Sequence, residues 1–382
     1  MGATFNISKE ILSWIFANIQ KENLSKQIIE YLTSWESGDK QPTFAQIQKV
    51  SKATKIPLGF FFLTTPPEED ISFVEYRTVK STEIEKPSRD LIDVMHDMRQ
   101  IQDWLHNHLI SKGESPFNYV GMLDKNDCNI NLAQKLRELL RLDIDWFKDS
   151  ASSNSSFKIL RNAISSIGTI VMQSGIVGNN TRRPLSVKEF RAFTLIDNYA
   201  PLIFINASDS INGKVFSLLH EFAHICIGEN SLSNDLLNDN KRVSETERIC
   251  NAIASEILVP NEIFQKKWQL LLSNEVQDDE LIFKLSKYFK CSKIVIARRA
   301  YENNYITTDL YDKIALSVMQ EYDDKKTTKG GGNHYNTLKS RIDSRFLNIL
   351  KSSIAEGKTL YTDAFRLTNT NDYSFHKLIN MN

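Results

Sequence analysis

Hydrophobic positions along the chain recur mostly at helical spacing, with one interruption near the middle. Ile11, Leu12, Trp14, Ile15 and Ile19 predict an amphipathic helix over residues 7–19. The stretch 24-LSKQIIEYLTS-34 has room for about one helix, and Ser37-Gly38-Asp39 signals a turn after it. Pro42-Thr43 opens a further helical stretch through Ile47, Val50 and Ala53, which ends in the apolar plug 57-PLGFFFL-63. The Pro-rich, acidic 64-TTPPEED-70 then reads as a linker. Ser88 follows as the N-cap of a long helix whose apolar side is Leu91, Val94, Met98, Ile101, Leu105 and Leu109, out to about Gly113. His106 and His108, at its end, read as solvated surface residues.

From about Asn129 the period changes. Helical stretches near 131–141 and 154–165 precede three short β-rich runs, 169-TIVMQ-173, 190-FRAFTLI-196 and 202-LIFIN-206. The apolar run 215-VFSLLHEFAHICIG-228 fits a buried helix, with Asn212 as N-cap and Gly228 just past its end. Another helix is expected over 244–258, and everything after about residue 276 reads as helical, broken by a loop at 329-KGGG-332. The pattern gives a predominantly helical α+β chain in four parts. Residues 1–64 form a helical module, 65–128 a linker and bridging helix, 129–275 a domain with a small three-stranded sheet, and 276–382 a helical C-terminal region.

Composition narrows the function. Of 382 residues, 47 are Lys or Arg and 47 Asp or Glu, which argues against a broad polyanion-binding surface. Four scattered cysteines suggest neither a disulfide framework nor a metal knuckle. With no apolar leader and no apolar run of membrane-spanning length, the expected compartment is the cytoplasm, without a membrane partner.

The buried helix carries the chemistry. His220 and His224 are four residues apart, on one face, close enough to grip one tetrahedral ion. Glu221 lies about 100° around the helix from His220, beside the metal rather than on it, where a general base for water belongs. Val215, Phe216, Leu218, Leu219, Phe222, Ala223 and Ile225 surround them, and unpaired polar groups are costly there. A catalytic site needs a third ligand and an open position. On helical phasing Glu247 shares an apolar stripe with Cys250, Asn251, Ala254 and Leu258, whereas Glu245, Arg248 and Glu256 lie nearer a charged face. Glu247 is therefore the carboxylate ligand candidate, with Asn251 placed to orient a ligand from outside the set and Cys250 in reserve. Ser244-x-x-Glu247 also fits a capping box, in which Glu247 merely closes its helix. Two imidazoles and a carboxylate favour Zn2+, and Mn2+ or Fe2+ would accept the same set.

These residues resemble the ImmA/IrrE family of metallo-endopeptidases, in the longer form with an N-terminal Xre-type helix-turn-helix region. In that family a strand ending in Asn leads into an F-T-L-x-H-E-x-x-H helix, which is similar to 203-IFIN-206 and 216-FSLLHEFAH-224. Its E-x-x-A-N-x-F-A-x-x-L-L-x-P segment is matched by Glu247, Asn251, Ala254, Leu258 and Pro260, with Cys250 and Ile253 replacing Ala and Phe. Weaker matches are 35-WESGDKQPTFAQIQKVSKATKIPLGFFFL-63, 75-EYRT-78 and 330-GGGNHYNT-337. The resemblance implies a zincin-like domain in which His220, His224 and Glu247 hold zinc and Glu221 is the catalytic base. It implies limited proteolysis of a regulator, typically a helix-turn-helix repressor, in a stress, phage or mobile-element response. Tyr199 and Tyr76 are candidates for stabilising the oxyanion. Residues 1–64 depart from the family pattern. The region between Asn23 and Trp35 is short for a helix-turn-helix, and seven Lys face five Asp or Glu. The alternatives are a non-catalytic regulator or antitoxin-like protein bound to a toxin-like partner, and a repressor that binds DNA through its N-terminal module.

Overall fold

The computed structural model describes residues 3–19, 21, 24–67, 87–229, 231–233, 245–272, 278–324 and 334–380. The described chain divides into two compact units. One holds the N-terminal helices and the start of the long helix, up to Met95, and the other runs from His96 onward.

The first unit contains α1 (Lys9–Ala17), α2 (Lys26–Glu36) and α3 (Phe44–Thr54), as the periodicity predicts. Thr43 and Gln46 form a reciprocal capping box that starts α3. Ile11, Ile15, Leu32, Ile47, Val50 and Phe61 make its separate small core. The connection between α2 and α3 runs from Ser37 to Thr43, longer than the turn of a helix-turn-helix.

The long helix α4 (Arg89–Ser111) starts where Ser88 Oγ accepts the Leu91 amide (3.2 Å). The second unit continues with α5 (Asn129–Leu140), α6 (Ser153–Ser166), β1 (Ile170–Ser174), β2 (Ala192–Leu195) and β3 (Leu202–Asn206). Then follow α7 (Ile211–Ile227), the short β4 (Ser231–Ser233), α8 (Glu245–Leu258) and α9 (Asn261–Leu272). α10 (Asp278–Phe289), α11 (Lys293–Glu302) and α12 (Thr308–Asp324) pack onto the same core. α13 (His334–Arg341), α14 (Ser344–Ala355), α15 (Tyr361–Leu367) and α16 (Asp372–Ile379) complete the chain. The glycine tract and Tyr76 lie outside the described residues, as do Ser244 and the 75-EYRT-78 match.

The three expected strands are present, and a fourth joins them in the order β1-β3-β2-β4. β1 runs parallel to β3, and β2 is antiparallel to both β3 and β4. β1, β2 and β3 are buried along their whole length, which explains why they are rich in apolar residues on both faces rather than strictly alternating. Phe193 and Phe204 stack across β2 and β3 with ring centroids 5.1 Å apart. α7 packs on this sheet, with α6 and α8 beside it.

Three expectations are corrected here. The N-cap of α7 is Ser210, whose hydroxyl accepts the Gly213 amide (3.0 Å), and Asn212 lies inside the first turn. His106 is only partly solvated. It is half-buried, with Nδ1 2.8 Å from the Asp197 carboxylate at the β2–β3 turn. His108 likewise stacks on Trp104, and burial lowers its pKa. Among the described residues no helix is long and apolar enough to cross a membrane.

Candidate metal centre

The turn before α7 fixes where the helix enters. Asn206 at the end of β3 donates from its amide to Phe190 O (3.0 Å) and accepts the Ser208 amide (3.0 Å). Asp209, almost fully buried, pairs with Arg191 at 2.8 Å. A Cβ on Gly213 would lie 2.4 Å from the Asp209 carboxylate, so only glycine lets the first turn of α7 pass this pair. At the other end Gly228 has φ +87° and its amide closes onto His224 O and Ile225 O, ending the helix.

Between these ends α7 is buried on every side, and His220, Glu221 and His224 are each no more than 1% exposed. The two Nε2 atoms are 3.1 Å apart. Glu247, from the first turn of α8, places Oε2 3.2 Å from His220 Nε2 and Oε1 3.2 Å from His224 Nε2. One donor atom from each of the three residues lies within 4.8 Å of the others. Burial alone would raise the Glu247 pKa, but its bonds to both imidazoles outweigh that and hold it far below the usual carboxylate range. Burial lowers the His220 pKa, and the Glu247 carboxylate more than reverses it.

Two imidazole nitrogens in direct contact cannot both be donors or both be acceptors without repulsion. A divalent cation at their focus, with the carboxylate, would satisfy all three groups, and two nitrogens with one oxygen is a catalytic-zinc donor set. The residues therefore fit such an ion. Both Nδ1 atoms have no hydrogen-bond partner among the described residues. Asn251, one turn after Glu247, lies beside His220 and favours its protonated form. Cys250 is fully buried, and burial pushes its thiol pKa well up, which suits a neutral core residue rather than a thiolate ligand.

Glu221 has a partner that periodicity did not single out. Thr194, in β2 and fully buried, donates its hydroxyl to Glu221 Oε2 at 2.7 Å. The signal was one hydroxyl in the apolar run FRAFTLI, since a buried polar group must bond something. Glu256, expected near a charged face, is instead buried and paired with Arg299 at 2.9 Å. Tyr199 sits at the β2–β3 turn with its ring edge-on to His106 (5.4 Å).

Residues 180–301 match the family model Peptidase M78, described as IrrE N-terminal-like domain, and this range contains His220, Glu221, His224 and Glu247. Residues 342–381 match a second model, DUF8813, described as a domain of unknown function. No curated protein and no solved structure matches the chain.

Proposed function

We propose that this chain, a member of the ImmA/IrrE family through its IrrE N-terminal-like domain, is a zinc-dependent endopeptidase that makes limited cuts in a regulatory protein. The family supports a metallopeptidase with a divalent ion and a protein substrate. The observation that carries the finer reading is the convergence of His220, His224 and Glu247, with Glu221 next in sequence to the first ligand.

When bound, the ion supplies Lewis acidity toward water and the scissile carbonyl. The chain's own residues do the rest. Glu221 accepts a proton from the attacking water and returns it to the nitrogen of the leaving amine, so the C–N bond breaks as a neutral amine departs. Thr194 holds one carboxylate oxygen by donating to it, which fixes the direction in which the other faces the water. Asn251, one turn after Glu247 and beside His220, is the residue placed to orient a ligand from outside the set. The substrate we favour is a helix-turn-helix repressor, the class the family resemblance implies.

The test compares the full-length chain with Glu221→Gln inside the source cell, mapping newly formed protein N-termini. The reading expects neo-N-termini in a small number of proteins with the wild type and none with Glu221→Gln, while both retain one metal per chain. If Glu221→Gln keeps its metal and its biological effect, the chain is a non-catalytic regulator.

A further inference from the structure

The two ends of α8 are tied down by different groups. At the C-terminal end Arg137 donates to Glu256 O (3.4 Å), Trp146 Nε1 donates to Ile257 O (3.0 Å), and Glu256 pairs with Arg299. The N-terminal end bears Glu247. There Thr246, 6% exposed, donates to Glu229 Oε2 (2.7 Å) and accepts from Lys125 Nζ (2.9 Å), while Lys125 also pairs with Glu229.

Lys125 closes a segment that runs along the end of α7. Gly121 N donates to Ile225 O (3.1 Å) and Leu123 N to Cys226 O (2.9 Å), satisfying carbonyls in the last turn. Gly228 approaches so closely that a Cβ on it would lie 3.2 Å from Gly121 Cα. One stretch, 121–125, thus caps the helix that bears both histidines and ends on an ammonium that reaches the helix bearing Glu247.

We propose that Lys125, Glu229 and Thr246 form a clamp that positions Glu247 against His220 and His224 and so sets the metal affinity of the centre. This rests on reading those three residues as ligands. The clamp residues act as positioning residues, through the bonds that Lys125, Thr246 and Glu229 make to one another. Thr246 precedes Glu247 in the first turn of α8, so a tilt of that turn carries Glu247 with it. Metal–ligand distances tolerate only about 0.2 Å, so a small tilt is felt as affinity.

The probe is Zn2+ alone, titrated into the metal-free full-length chain against a chromophoric chelator at pH 7. Lys125→Met keeps the aliphatic stem and removes the ammonium. Its Kd for zinc rises about tenfold, the lower end of the range seen when a group that orients a ligand is lost. Lys125→Arg restores tight binding. Thr246→Val weakens binding similarly, and the double variant weakens it no further, because both changes open one clamp. Urea unfolding of the metal-free chains serves as the control. If Lys125→Met binds zinc like the wild type, or weakens only in step with an equal loss of unfolding stability, the clamp is overturned. If wild type binds zinc no better than the His220→Ala/His224→Ala variant, the ligand reading itself falls and takes the clamp with it.

Discussion

Glu221 has no exposed surface, and the Thr194 hydroxyl donates to its Oε2. Hydrogen bonds to charged groups contribute about 1.5–3 kcal/mol. Thr194→Val should therefore lower the rate of substrate cleavage by roughly 10- to 100-fold at unchanged zinc content, and Thr194→Ser should recover most of it. Metal analysis alongside a cleavage assay on the substrate found by N-terminal mapping checks this. His220, Glu221 and His224 were legible in the sequence because their relation is local, set by the 3.6-residue turn of one helix. Glu247 was legible more weakly, through phasing and the need of a carboxylate on an apolar stripe for a cation. Thr194 stands 27 residues before Glu221 on another element, so no period connects them. The capping Ser210 was missed for a different reason. Both Ser210 and Asn212 are good cap residues, and the buried Asp209–Arg191 pair and Gly213 decide between them.

α4 reads in the sequence as a generic amphipathic helix, and its apolar stripe does bury Leu91, Met98, Ile101 and Leu105. What periodicity does not reveal is that its polar residues fasten it to the sheet. Gln102, 1% exposed, donates to Leu195 O (2.8 Å) and Ala200 O (3.0 Å) across the β2–β3 turn, and His106 meets Asp197 in the same turn. Burial raises the Asp197 pKa, but His106 and the amides of Tyr199 and Ala200 outweigh it and hold the carboxyl below its ordinary value. A depressed folded-state pKa gives stability that is present above the unfolded carboxylate pKa, about 4, and is lost as pH falls through the folded one. Asp197→Asn should therefore cost about 1–2 kcal/mol at pH 7. It should also show a shallower loss of stability than wild type as pH drops below about 4, measured by urea unfolding across pH. The strand β4 was not legible at all, because the three residues of SLS are too few to establish a period.

At the scale of the molecule, the core around the candidate site extends from Tyr119 to Ile314, so α10, α11 and α12 contribute to the same packed interior as the sheet. The C-terminal helices fasten onto the edge strand β1 through buried polar groups. Asp343 accepts from Val171 N (3.2 Å), Ser165 Oγ (3.0 Å) and the amides that begin α14. Arg161 donates to Val171 O, Ser340 O and Ile342 O. These contacts occupy backbone groups that an edge strand would otherwise leave exposed. Asp343→Ala removes four acceptor contacts at once, and about 3 kcal/mol of unfolding free energy should go with it in urea titration. Helical content after residue 276 was readable from periodicity. The docking was not, because it depends on single polar residues far apart in sequence.

The proposed chemistry requires two imidazoles and one carboxylate of this chain to share a single cation. X-ray absorption at the zinc edge of the full-length chain, loaded with one equivalent of Zn2+, tests that most directly. The predicted spectrum shows two imidazole nitrogens with oxygen making up the rest of the shell, all at about 2.0–2.2 Å. In it, one imidazole disappears in His224→Ala. A sulfur shell near 2.3 Å, or a spectrum without imidazole scattering, would contradict it.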